Sequence, residues 1–550
     1  MRTTQTTLIL AGFGASLIAC SGISDCEQDG EACAAMLVES GPACAEAYQL
    51  KHTERKRKYC EHAVDVVGDQ EIAAAVPGLI AMLKAPHTNV PDDNHVQDAA
   101  KALGEIKDPA AVDALVAALD MKAGTSSEPR DKMANRANEA IAEALGEIGA
   151  EEATPALLEL MDASRNDHVV LKAVRALGQI EDERAVEKLE DVALNHPNKF
   201  MRKNSVIALG DIGSPKAVDT LIQMMFIEYQ GVSFYREASF ALFQVGEPAA
   251  EPLLETMAMK NEAVNAIFEK SGGIKESAIK AKCGFVLGDL RDERAVEPLL
   301  EAFEEAVEKR DPVVLGFTAP PLGALGDERA VKVLAEEMGT IDQSLRDPFM
   351  QALVMIGDRS VVDDMIPLIT RRDFVRKCRR MGNSRQACVS EEDSMFGAQE
   401  TAIDHTTNLA GAEHLEALEK VLENEPSERI QKYLDARMVR VRTAAECQDD
   451  AACWAGKLKS DDPLLRERAA WDLKRLKDPS TLDALAEALD DSNRKARYAA
   501  IQAYWAYGDD RAVDLIRKTL KDEESSADFV RVNEDLKRLL VHLKRTEPSA

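Results

Sequence analysis

Between residues 69 and 520 the apolar positions fall in a repeating order: a short helical stripe, a polar turn, a second stripe, another turn. The first stripe reads DPAAVDALVAAL from 108, DERAVEKLEDVAL from 182, SPKAVDTLIQMM from 214 and DERAVEPLLEAF from 292. It returns as DERAVKVLAEEM from 327, DPSTLDALAEAL from 478 and DDRAVDLIRKTL from 509. The second reads AAKALGEIKD, AIAEALGEIGA, AVRALGQIED, SVIALGDIGS and GFVLGDLRD. In the copy at 182, Ala185, Val186, Leu189, Val192 and Ala193 share one side of a helix. Each unit is thus helix A, turn, helix B, and adjacent clean copies lie about 31–35 residues apart.

The turn residues supply the local reason. The leading Asp or Ser can accept a free N–H at the start of helix A, and the Pro or acidic residue after it suits the first helical turn. A Gly near the end of helix B, such as Gly178 or Gly210, permits close backbone approach. One such hairpin cannot bury both its helices, so the units must stack. These blocks resemble HEAT-like repeats of the phycobilisome-lyase type, over most of residues 69–520 and about twelve units. The resemblance implies an all-α fold, a right-handed alpha-solenoid of stacked helical hairpins. That repeat type is named after enzymes that attach bilins to proteins, but most similar repeats are binding scaffolds. The fold carries over and the activity does not.

Departures from the period divide the chain. Residues 1–19 read as a signal peptide, 20–68 as a Cys-rich helical hairpin and 69–411 as the main array, with a basic Cys-containing insertion at 371–396. Residues 412–460 are degenerate, with 413–446 a long or broken helix, and 461–550 hold terminal repeats and a capping helix. Smaller departures are MKAGTSSEPRDKM at 121–133 and the Gly272-Gly273 stretch. Stability in an array is a sum over neighbours, so 371–460 is the expected weak link.

The N-terminus changes the picture of compartment. LILAGFGASLIA at 8–19 is an apolar run of signal-peptide length, too short to span a bilayer. It ends in Leu17-Ile18-Ala19-Cys20, which resembles the lipobox of bacterial lipoproteins. That implies acylation of Cys20, the first mature residue, and a palmitate-type membrane anchor. Ser21 after the Cys resembles outer-membrane sorting, facing the periplasm or the cell surface. The net charge is −29, and −30 once the segment bearing Arg2 is removed. Such a balance argues against nucleic acid as a partner.

Ten cysteines agree with export. Besides Cys20, the pairs Cys378–Cys388 and Cys447–Cys453 are close in sequence, and Cys283 sits alone in an apolar helix as a buried free thiol. Zinc is the rival for Cys26, Cys33, Cys44 and Cys60, but their spacing has no C-x-x-C knuckle. Residues 42–67 read as one helix, which would hold Cys44 and Cys60 roughly 24 Å apart, beyond the ~7 Å a bridge allows. A hairpin turning at Ser40-Gly41-Pro42 instead predicts nested bridges, Cys33–Cys44 and Cys26–Cys60.

Candidate chemistry is sparse. Asp404, His405 and His414 match no metal motif, and Asp92, Asp93, Asn94, His95 and Asp98 lack the turn of a calcium loop. No G-x-S-x-G, phosphate loop or H-E-x-x-H is present. RKARYAAIQAYWAYG near the C-terminus puts Tyr498, Ile501 and Trp505 on a core face and Arg497, Tyr504 and Tyr507 on an adjoining one. The second group is a candidate hot spot, with packing under the terminal cap as the competing role. RRDFVRKCRRMGNSRQAC at 371–388 inverts the local charge. Arg376, Arg379, Arg380 and Arg385 are candidates for gripping an acidic protein or lipid phosphate, unless they merely balance acidic neighbouring repeats. The expectation is a non-enzymatic, monomeric, lipid-anchored scaffold or adaptor, without cofactor or metal, binding unidentified envelope proteins. The alternative is an enzyme, or a chromophore- or metal-handling lipoprotein of lyase type, on the same scaffold.

Overall fold

The computed structural model describes residues 29–49, 54–85, 94–271, 276–339, 343–372, 378–381, 385–388, 391–507 and 539. The chain divides into two compact units, Met1–Val245 and Gly246–Ala550. Each is a stack of helical hairpins, and the fold is an all-α solenoid.

In the first unit the helix pairs are Val76–Leu83 with His95–Ile106, Val112–Ala118 with Pro129–Ile148, Thr154–Ala163 with Asp167–Ile180, Val186–Asn195 with Lys199–Ile212, and Val218–Met224 with Tyr235–Val245. Helix A starts in a tight 3₁₀ turn, and the expected caps form. Asp108, Asp182 and Ser214 each accept the N–H two residues on. Between the last two helices lies a feature the repeat pattern does not announce, a small hairpin pairing Glu228 with Ser233 and Tyr229 with Val232. Gln230 and Gly231 both have positive φ, 51° and 72°, as the tight two-residue turn of a hairpin demands.

The glycines near the ends of the B helices set the spacing. A Cβ on Gly146 would lie 2.7 Å from Ala176 Cα, and one on Gly178 would lie 2.9 Å from Ala208 Cα. Each glycine thus meets the small residue of the next B helix, and the stack closes without a gap.

The early cysteines are not nested as the sequence predicts. Cys44 is bonded to Cys60, with Cα atoms 5.6 Å apart. This excludes both Cys33–Cys44 and Cys26–Cys60. Cys33 is disulfide-bonded, and Cys26 lies outside the described residues. The cause is the position of the turn. Helix Gly30–Gln49 runs straight through Ser40-Gly41-Pro42, and a second helix starts at Glu54. Gly41 serves contact rather than turning, since a Cβ there would lie 2.5 Å from Gly78 O. This hairpin packs directly on the next pair, and Tyr48 donates to Asp98 at 2.9 Å.

The second unit continues the pattern. Its B helices are Glu276–Leu290, Pro312–Leu325, Gln343–Ile356, Glu391–Leu409, Glu428–Cys447, Pro463–Leu476 and Arg494–Trp505. Cys283 is buried and free, and Cys447 is bonded to Cys453. The stretch expected as one long or broken helix is broken, into Leu415–Asn424 and Glu428–Cys447. In the basic insertion, strands Cys378–Met381 and Arg385–Cys388 run antiparallel and place Cys378 opposite Cys388.

Candidate functional site

The C-terminal aromatic group is not a surface hot spot. Tyr504 is fully buried and Arg497 is 2% exposed, while Tyr507 donates to Leu473 O at 3.0 Å. These three pack the last repeat, and the capping helix that the competing role sets over them lies outside the described residues. Helical period alone sets Arg497, Tyr504 and Tyr507 on a face apart from the core positions. That period cannot register a second layer covering the helix.

The covering layer lies within the second unit. Helix Arg494–Trp505 crosses the B helices in reverse order. Lys495 pairs with Asp404 at 2.8 Å, the Tyr498 hydroxyl points to Met355 Sδ at 3.8 Å, and Gln502 Oε1 accepts from Arg291 at 2.7 Å. Helix Pro463–Leu476 makes a parallel set. Glu467 accepts from Asn408 at 2.9 Å, Arg468 donates to Thr407 O at 2.7 Å, Asp472 pairs with Arg359 at 2.7 Å, and Lys474 donates to Met355 O. Partners of this kind are 59 to 211 residues apart in sequence, far beyond one repeat.

This junction is unusually charged for a buried contact. Arg440 is fully buried between Glu467, at 2.5 Å, and Asp404, at 3.4 Å. Burial alone would raise the Asp404 carboxyl, but Arg440 and Lys495 overcome it and hold it at about 2. Lys474 has the opposite fate. Burial, with the nearby cations Arg291 and Lys477, pulls its ammonium down to about 7. Arg291 caps the helix Pro312–Leu325 through Ala324 O and stacks on Trp505 at 5.1 Å. Both cations thus sit at C-terminal helix ends, where the helix dipole is negative.

The other sequence candidates separate. His405 pairs with Asp347 at 2.7 Å, and His414 Nδ1 accepts the Gly411 N–H at 3.1 Å. His95 is fully buried at the start of helix His95–Ile106, and Asp98 is tied to Tyr48. Asp92 and Asp93 lie outside the described residues. Among the described residues no His, Cys, Asp and Glu are grouped to hold a metal ion. In the basic insertion, Arg371 donates to Gly339 O and Arg372 pairs with the buried Glu425 at 2.9 Å. Arg379, Arg380 and Arg385 lie on the two strands, and Arg376 lies outside the described residues, as do Cys20 and the apolar run before it. Among the described residues no helix is long and apolar enough to cross a membrane.

What remains open are outward faces of B helices. Phe200 is 61% exposed and Ile207 39% exposed, two turns apart on Lys199–Ile212. In the second unit Val313 is 47% and Phe317 41% exposed, one turn apart, with Phe317 edge-on to Phe285 at 6.3 Å. A hydrophobic-moment argument from sequence misses them, because one or two apolar residues barely alter a polar face.

A model of HEAT repeats matches residues 130–199, 173–226 and 455–531, and a model of the PBS lyase HEAT-like repeat matches 97–121 and 279–305. The chain therefore carries HEAT-like repeats. Among solved structures it is similar to yeast importin-beta, at 12% identity and TM-score 0.39, covering 95% of this chain and 82% of that one. It is also similar to the complex of CpcE and CpcF of phycocyanin lyase from Nostoc sp., at 22% identity and TM-score 0.25, covering 49% and 95% respectively. A third is human deoxyhypusine hydroxylase, at 21% identity and TM-score 0.20, covering 54% and 96%. No curated protein matches by sequence.

Proposed function

We propose that this HEAT-repeat chain is a lipid-anchored scaffold that binds other proteins in the bacterial cell envelope, acting by binding and not by catalysis. The observation that carries the reading is the pair Phe200 and Ile207, large apolar side chains held outward on one face of a regular repeat. Stacking does not use them, since that helix packs through Met201, Val206, Leu209 and Gly210. Apolar residues gathered on an otherwise polar face mark protein-binding surfaces. The anchor rests on the Leu17–Cys20 motif after the apolar run. Acyl chains on Cys20 would hold the array against a membrane, outer-membrane sorting being the expected destination.

Two variants test the two halves of this reading. Cys20→Ser should leave the protein unprocessed or release it from membranes; normal mature size and membrane fraction in that variant refutes the anchor. Affinity capture from detergent-solubilised envelope, read by mass spectrometry, should lose its specific partner with Phe200→Ser/Ile207→Ser. A capture profile unchanged by that pair refutes this face as the binding surface.

A further inference from the structure

Helix Pro312–Leu325 reads PVVLGFTAPPLGAL and holds no charged side chain, alone among the described B helices. Its inner sides are occupied by the stack. A Cβ on Gly323 would lie 2.6 Å from Ala352 Cα in the next B helix, and one on Gly288 of the preceding B helix would lie 2.6 Å from Pro321 Cα. Thr318, its one polar side chain, is buried and donates to Val314 O at 2.8 Å. What the neighbours leave is an apolar ledge. Val313 is 47% and Phe317 41% exposed, with Gly316 and Pro320 half-buried beside them. Phe285, edge-on to Phe317 at 6.3 Å, extends the ledge onto the preceding B helix. Charge stops at the rims, with Lys282 one turn before Phe285 and Asp347, paired with His405, on the next B helix.

The two prolines give this ledge a polar point. A helical carbonyl takes its donor four residues on, or three residues on in a 3₁₀ turn. Neither Pro320 nor Pro321 has an N–H, so the Phe317 carbonyl finds no donor at either spacing. The exposed Phe317 side chain places its residue on the solvent side of the helix, where carbonyls tilt outward. An apolar cover without a donor would bury this acceptor unpaired, at a cost greater than one hydrogen bond returns. A charged group buried there would meet no counter-ion on the ledge, which costs more still.

We propose that this ledge docks a helix of a partner protein whose contacting face is apolar and uncharged and carries one neutral N–H donor, an Asn or Gln amide, for Phe317 O. Polar complementarity selects that occupant, since the ledge offers apolar side chains, one open acceptor and no charge. The shallow groove between two packed helices suits a third helix. The inference rests on the scaffold reading. It adds a second site, in the other unit from Phe200 and Ile207, and names the chemistry it takes.

The probe is a fluorescein-labelled two-heptad helix of Leu and Gln, with Leu along one face, read by anisotropy. The parent protein is the full-length chain carrying Cys20→Ser, so that no detergent competes for the peptide. It should bind the probe saturably. Val313→Ser/Phe317→Ser should weaken binding about tenfold or more. Val313→Lys, a change at an exposed position, should do the same by placing a charge on the ledge. Val38→Ser, at an exposed valine of the first unit, should bind as the parent does. Pro321→Ala keeps the Cα and Cβ that meet Gly288 and restores a helical donor to Phe317 O. It should weaken binding about fivefold, the worth of one hydrogen bond. A peptide of N,N-dimethylglutamine, which has no side-chain N–H, should bind the parent about fivefold more weakly too, and should lose nothing further with Pro321→Ala. A diazirine-bearing leucine in the probe should label residues 312–320 of the parent, which needs no variant to fold. Equal binding by Val313→Ser/Phe317→Ser, equal binding of the dimethylated peptide, or labelling only outside the ledge would each overturn the proposal. Dimerisation, or uptake onto neutral lipid vesicles, that Val313→Lys abolishes would give the ledge to a second copy or to lipid, and overturn it as well. Absence of probe binding while partner capture through Phe200 and Ile207 persists overturns this inference and leaves the scaffold reading standing.

Discussion

Lys474 carries its ammonium into the interior of the second unit, against Met355 O and 6.0 Å from the Trp471 ring centre, with Arg291 and Lys477 adding like charge. Its folded value of about 7 lies below the unfolded value of about 10.4. Between the two, the unfolded chain holds the extra proton, so this group's contribution to stability rises with pH. Below about pH 7 both states are protonated and the full penalty of burying the charge, a few kcal/mol, is present. Lys474→Met removes the charge and keeps much of the stem. It should therefore melt above wild type at pH 6, with a gap that narrows steadily as pH rises toward 9. Thermal unfolding of the two proteins across that range checks it. A constant gap would mean that Lys474 is solvated in the folded state.

At the scale of the element, the repeat is held by glycines that act through space rather than through φ. A Cβ on Gly178 would lie 2.9 Å from both Cα and Cβ of Ala208. Alanine there gains about 1 kcal/mol of helix propensity, but overpacking costs about 1–3 kcal/mol, so crowding wins. Gly178→Ala should speed hydrogen exchange in helices Asp167–Ile180 and Lys199–Ile212. At Gly339 an added Cβ meets nothing within 4 Å, and Gly339→Ala should leave exchange there unchanged or slower. This part of the fold was legible in the sequence, because caps such as Asp182 and close-approach glycines recur with the period. The N-terminal hairpin was not. Ser40-Gly41-Pro42 has turn composition, yet Gly41 is there for the crossing with Gly78, and tertiary contact overrides local preference. The hairpin at 228–233 also escaped, being too short to show a period. The candidate site was least legible. Periodicity gives the buried side of one helix against its neighbours, and it is silent about Arg494–Trp505 being covered from a second side.

At the scale of the second unit, a purely linear array would pass stress from each repeat only to the next. The contacts of helices Pro463–Leu476 and Arg494–Trp505 change that. Asp472, 3% exposed, accepts from Arg468 at 2.5 Å, from Arg359 at 2.7 Å and from Arg475 at 3.2 Å. The Arg468 side chain is 1% exposed, so it cannot recover solvation if the carboxylate is neutralised. Breaking a buried pair from one side costs about 3–5 kcal/mol, more than a surface pair could. Residues 412–460, the latter part of the 371–460 stretch expected to be the weak link, feed the same network through fully buried Arg440. Asp472→Asn should then destabilise more than its own repeat. Because Arg359 and Lys474 join the last repeats to the end of helix Gln343–Ile356, that helix and the turn Arg359–Val361 should lose protection together with Pro463–Leu476. Hydrogen exchange by mass spectrometry reads both regions in one experiment. Loss confined to 463–505 would show that the long-range contacts carry no free energy, and that this unit unfolds one neighbour at a time as a linear array does.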